Sequence, residues 1–155
     1  MYTRRTSIFS GICFILILAA TAITSCGRDS RFREELVSLD SVLAAKPDSV
    51  YNVLADMRDE AMKQSVSDRM YYELMLADAQ NKAYIDFTTD SVMKSVAEYY
   101  DNHGTANEKV RAYYLLGCTY RDLKDVPMEL QYFQEAVEKA DTTEKDCNWD
   151  KLGAI

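Results

Sequence analysis

Residues 111–140 read RAYYLLGCTYRDLKDVPMELQYFQEAVEKA, and in them Tyr113, Leu116, Gly117, Tyr120, Phe133 and Ala136 form a spaced set that decides the fold. Tyr113, Leu116 and Tyr120 recur at i, i+3 and i+7, which puts them on one helical face, and Leu130, Phe133, Ala136 and Val137 make a facing stripe. A glycine inside a helix over 111–123 costs about 1 kcal/mol relative to alanine, so Gly117 calls for a packing reason. Two antiparallel helices that cross closely supply it, because a larger side chain at the crossing would push them apart. Residues 123–127 make the turn. Pro127 is tolerated near the start of the second helix, where its missing N–H has no intrahelical partner.

Trp149, Leu152 and Gly153 repeat the aromatic-x-x-Leu-Gly pattern 36 residues after Tyr113, Leu116 and Gly117. A weaker echo lies earlier, where Arg69, Tyr71, Tyr72 and Leu74 copy Arg111, Tyr113, Tyr114 and Leu116 at a spacing of 42, with Met75 in place of the glycine. The paired aromatics Tyr99 and Tyr100 then correspond to Tyr132 and Phe133, across a gap nine residues longer, which predicts a longer first helix in that unit. This pattern resembles the tetratricopeptide repeat, specifically over 108–141 and more loosely over 67–104. Glu129 and Asp141 depart from it, standing where the family has a small residue and proline. The alternative is an ordinary helical bundle with repeat-like spacing.

The resemblance implies an all-α chain: an α-solenoid of antiparallel helix pairs, about three pairs and the start of a fourth. Residues 1–25 are assigned to a signal, 26–31 to a tether, 32–66 to a degenerate pair, 67–104 to a degenerate repeat unit, 107–141 to a full unit and 144–155 to the start of another. It also implies that a protein or peptide partner meets the concave face at Arg111, Tyr114, Cys118, Arg121 and Asp122, followed by Cys147, Asp150 and Ala154. Two arginines and a tyrosine suit a peptide carboxylate and an apolar side chain, although Glu108 and Asp122 stand near enough to occupy those arginines. The clamp of chaperone-binding members is absent, because Tyr114 and Cys118 stand in its positions.

Arg4 and Arg5 precede an apolar run of sixteen residues, 8–23, which ends in Thr24, Ser25 and Cys26. A basic start, a short apolar run and small residues before a cut are the parts of a secretory signal. With a cysteine at the cut, the segment resembles a bacterial lipoprotein signal, which implies that Cys26 carries the lipid and anchors the chain to a membrane. The run is short for a bilayer, which needs about 20 apolar residues. An uncleaved anchor is the alternative. Gly27 leans the sorting toward the outer membrane by the same resemblance, with the domain facing the periplasm.

Cleavage would remove Arg4 and Arg5 and no acidic residue, taking the net charge from -7 to -9. Such a surface repels phosphate backbones, so nucleic acid is not an expected partner. Eleven tyrosines suit helices bridged by rings whose hydroxyls reach water.

The pattern predicts further helices over 32–45 and 49–63, with Pro47 as the stop and Asp48 as the N-cap between them, and over 70–86. The next helix ends at Asn102, His103 and Gly104, where glycine suits a left-handed close. Thr105 and Glu108 make a capping box for the helix after it. In the exported domain only Cys118 and Cys147 remain, and their register places them too far apart for a disulfide, as free packed thiols. A single histidine and no Cys-x-x-Cys leave no usual zinc site, and no cofactor is expected. His103 fits a helix-ending role better than general-base chemistry, so an enzyme is not expected. Three functions stay open: a lipid-anchored interaction module, the sensory front of a longer membrane-bound signalling or transcription-regulating protein, and an envelope hydrolase or carbohydrate-binding lipoprotein.

Overall fold

A computed structural model of the chain describes residues 31–143, 145 and 147–155. The signal, Cys26 and most of the tether lie outside the described residues, and residue 31 is already helical. The described residues are all-helical, with no strand among them. The helices are α1 (31–43), α2 (Pro47–Asp56), α3 (Arg58–Ala61), α4 (Val66–Lys82), α5 (Ser91–His103), α6 (Ala106–Asp122), α7 (Val126–Glu138) and α8 (Trp149–Leu152). None is long and apolar enough to cross a membrane.

Helix α4 packs against α2, α5 and α6, while α6 packs against α5, α7 and α8. Both are surrounded, which shows in their sequences: residues 74–79 of α4 and 114–120 of α6 are buried without a polar stripe between them. One core lies between α1, α2 and α4, around Leu36, Leu54, Tyr72 and Met75; the other lies among α4, α5, α6 and α7, around Leu74, Val96, Leu115 and Leu116. The Tyr72 hydroxyl is satisfied inside the first core by donating to the Leu54 carbonyl at 2.8 Å.

Several boundaries move from their predicted places. The helix expected over 49–63 begins at Pro47, which serves as first residue rather than stop, and breaks at Met57 into α2 and α3. The helix expected over 70–86 begins at Val66, because the Ser65 side chain accepts the Asp68 N–H, and it ends at Lys82. The capping box at Thr105 and Glu108 forms with both reciprocal bonds, and Pro127 sits in the first turn of α7. Gly104 is extended, at φ -89° and ψ 157°, rather than left-handed. The left-handed residues are instead Tyr84 (φ 56°) and Lys124 (φ 64°), just past α4 and α6. There the Ile85 and Asp125 N–H groups donate back to the Gln80 and Tyr120 carbonyls, closing both helices in the same way.

The longer first helix predicted for the earlier unit does not occur. Helices α4 and α6 have 17 residues each and α5 and α7 have 13, so the extra length lies in the connection over 83–90. Matching the caps Ser65 and Thr105 gives a spacing of 40, which pairs Gly117 with Ala77 rather than with Met75.

Gly117 lies under the Phe133 ring. A Cβ at Gly117 would stand 2.5 Å from Phe133 Cδ1 and 2.6 Å from Cε1, so only hydrogen fits. Around this crossing Tyr132 stacks on Tyr120 at 5.3 Å and lies 6.3 Å from Tyr113, while Tyr114 is 5.7 Å from Phe133. Leu116 and Ala136 are buried, as expected, but Leu130 and Val137 are not. They share an exposed face of α7 with Val126, because no described element packs there.

Candidate functional site

The five residues assigned to the inner face, Arg111, Tyr114, Cys118, Arg121 and Asp122, do lie along one side of α6. The structure sorts them into two groups. At the N-terminal end, Arg111 is partly buried in an ionic cluster: Nη1 and Nη2 donate to Asp40 at 3.0 and 2.8 Å, and Nε donates to Asp78 at 2.8 Å. The second oxygen of Asp78 accepts from Lys151 Nζ at 2.6 Å, and Asp40 also accepts from the Tyr71 hydroxyl at 2.9 Å. The cluster therefore joins α1, α4, α6 and α8. Two carboxylates face two cations, so the buried charge balances.

Burial alone would push the Asp78 carboxyl up, but Arg111 and Lys151 hold it below its ordinary value. Burial and the neighbouring Asp40 push the Tyr71 hydroxyl up to about 12, so it stays a donor. Of the two acids expected beside these arginines, Asp122 does pair with one of them, whereas Glu108 serves elsewhere. Glu108 completes the cap of α6, and Asp122 pairs with Arg121 at 2.9 Å while accepting the Phe87 N–H at 3.1 Å.

At the other end, Tyr114, Arg121 and Asp122 border a cleft of about 800 Å³ between the C-terminal ends of α4 and α6 and the α8 segment. Lys82, Tyr84, Asp86, Lys124, Asp150 and Lys151 complete its charged and aromatic rim. Tyr84 is 95% exposed, held outward by its left-handed backbone on the long 83–90 connection. Arg121 leaves nearly half of its side chain in solvent while donating to Asn81 at 3.1 Å. Among the five inner-face residues, Tyr114, Arg121 and Asp122 thus meet the cleft. Arg111 is committed to Asp40 and Asp78, and Cys118 is fully buried with its thiol pushed up by that burial. Cys118 and Cys147 are free thiols.

The late repeat of the signature does not pack as the first one does. Trp149 is 58% exposed and Leu152 half-buried, whereas Lys151 between them is the buried residue. Gly153 caps α8 in an ordinary right-handed conformation. Asp40, Tyr71, Asp78 and Lys151 escaped the sequence reading as a cluster. The available signal was Asp78 itself, an acid set within the apolar run 74–79.

His103 lies against Tyr99, with its ring stacked at 4.5 Å and Nδ1 at 2.9 Å from the Tyr99 carbonyl, so it serves the end of α5. Among the described residues, no group of three or more His, Cys, Asp or Glu side chains is placed to hold a metal ion. No protein-family model matches the chain, and neither a curated protein nor a solved structure matches it.

Proposed function

We propose that the chain is a tetratricopeptide-type interaction module of the bacterial cell envelope, tethered through lipid on Cys26, that binds a protein or peptide partner on its inner face. The observation that carries the reading is Gly117 beneath the Phe133 ring, since a repeat needs a small residue where its two helices cross. The matched lengths of α4 with α6 and α5 with α7 support an α-solenoid of antiparallel pairs. The partner's place in this reading is the cleft beside Tyr84, Arg121 and Lys124, because the other end of the inner face is filled by the protein's own ion pairs. The role is recognition rather than catalysis.

The test is capture from membrane extracts by full-length protein, comparing wild type with Arg121→Glu/Lys124→Glu and with an outer-face control, Gln134→Glu. Loss of a captured protein in the first variant alone supports the reading, and equal capture by all three refutes the choice of face. Metabolic labelling with a fatty-acid analogue, present in wild type and absent in Cys26→Ser, tests the tether.

A second reading, the front of a longer signalling protein, draws support from the bare apolar face of α7 at Val126, Leu130 and Val137. A longer form whose added helices protect α7 amides from exchange would favour it.

A further inference from the structure

We propose that Asp78 and the Tyr114 ring form a receptor for a primary ammonium group, occupied in cis by Lys151, and that a lysine side chain of a protein partner is the ligand that takes its place. The site itself stands on geometry alone, whereas the partner rests on the function proposed above.

Lys151 Nζ lies 2.6 Å from Asp78 Oδ1 and 4.8 Å from the centre of the Tyr114 ring. A carboxylate on one side and a ring face on another are the two elements that recognise an alkylammonium, and both act strongly when shielded from water. The charge count makes a cation obligatory. Arg111 is already shared between Asp40 and Asp78, so withdrawing Lys151 leaves one buried negative charge uncompensated. Lys82, Arg121 and Lys124 border the cleft and repel an incoming cation, but Asp86, Asp122 and Asp150 border it too and offset them. Tyr114 and Lys151 line the cleft, so the receptor opens toward solvent once Lys151 leaves.

The occupant is held mainly by its ion pair rather than by the short segment that carries it. Helix α8 has four residues and a Trp149 that is 58% exposed, and the Asn148 N–H just before it donates to Asn107 Oδ1 of α6 at 2.8 Å. Short helices gain little from their own hydrogen bonds, so detaching this one costs little beyond the ion pair. An acidic chain, at net charge -7, also draws cationic segments toward it. Lys151 is thus a stand-in ligand: it keeps Asp78 paired in the free protein and yields when a partner lysine arrives.

The test uses Nα-acetyl-lysine amide as probe and Nα-acetyl-norleucine amide as its uncharged counterpart, followed by amide chemical shifts in Lys151→Ala and in Lys151→Met, which keeps the apolar stem. Saturable shifts around Asp78 and Tyr114 are expected with the lysine probe alone, about tenfold tighter than in wild type, which must first expel its own lysine. They are expected to vanish when Asp78→Asn is added. In wild type, the fluorescence anisotropy of Trp149, the single tryptophan, should fall as the lysine probe releases α8. Equal responses to the two probes, shifts that survive Asp78→Asn, or no response in any of these proteins would overturn the proposal. Because no partner protein is involved, failure here is separate from failure of the capture experiment.

Discussion

Replacing Gly117 with alanine should destabilise the protein, although alanine is the better helix former. A Cβ at this position would stand 2.5 Å from the Phe133 ring, whereas unstrained carbon contacts lie at about 3.5–4.0 Å. The ring or one of the two helices must therefore move by about 1 Å. Overpacking of this kind costs about 1–3 kcal/mol, and the helix-propensity gain returns about 1 kcal/mol, which leaves a net loss near 1 kcal/mol. For a domain of this size that corresponds to about 4 °C in Tm. The sign should reverse once the ring is gone: in a Phe133→Ala background, Gly117→Ala should raise stability by about 1 kcal/mol, since only the propensity term survives. The coupling between the two sites is then about 2 kcal/mol. Urea unfolding of all four proteins, followed by far-UV circular dichroism, measures it. If Gly117→Ala stabilises both backgrounds equally, the two helices do not need glycine where they cross, and the packing argument fails.

Three further outcomes follow from the buried polar groups. Arg111→Met should lower stability by about 3 kcal/mol, because Asp40 loses its bidentate partner and Asp78 keeps only Lys151; urea midpoints check this. Tyr72→Phe should cost about 1 kcal/mol by removing the hydroxyl's bond to the Leu54 carbonyl, which then keeps only the Met57 N–H, measured in the same way. Asp78 has a folded pKa below its ordinary 3.8, so the stability it contributes is present above that value and lost as pH falls through the folded one. Wild type should accordingly lose its advantage over Asp78→Asn in urea titrations as the pH is lowered below about 4, and a constant difference down to pH 2 would contradict this.

What the sequence disclosed was local. The capping box at Thr105 and Glu108, Pro127 in the first turn of α7 and Gly117 beneath Phe133 all lie within one helical hairpin, where spacing alone fixes which side chains meet. In the earlier unit the aromatic landmarks and the helix caps give different spacings, 42 and 40. With the caps matched, Ala77 rather than Met75 corresponds to Gly117 and carries no signature of its own, and the predicted helix over 70–86 runs four residues into the 83–90 connection. Leu130 and Val137 fall at the spacing of the facing stripe yet are exposed, since periodicity cannot say whether a neighbour covers an apolar residue. The ionic cluster was out of reach for another reason. Arg111 meets Asp40 across 71 positions and Lys151 meets Asp78 across 73, distances at which no local pattern links the partners. The same contacts explain why Arg111, assigned to a partner, serves the fold, while Arg121 ten residues later remains at the cleft.

The most direct test of the account is site-specific photocrosslinking in living cells, with the photoreactive residue placed at Tyr84 on the cleft rim and, separately, at Gln134 on the far side of α7. The account predicts a discrete protein adduct from position 84 that disappears in the Arg121→Glu/Lys124→Glu background, and none from position 134. The same adduct from both positions, or none from position 84, would contradict an inner-face recognition module.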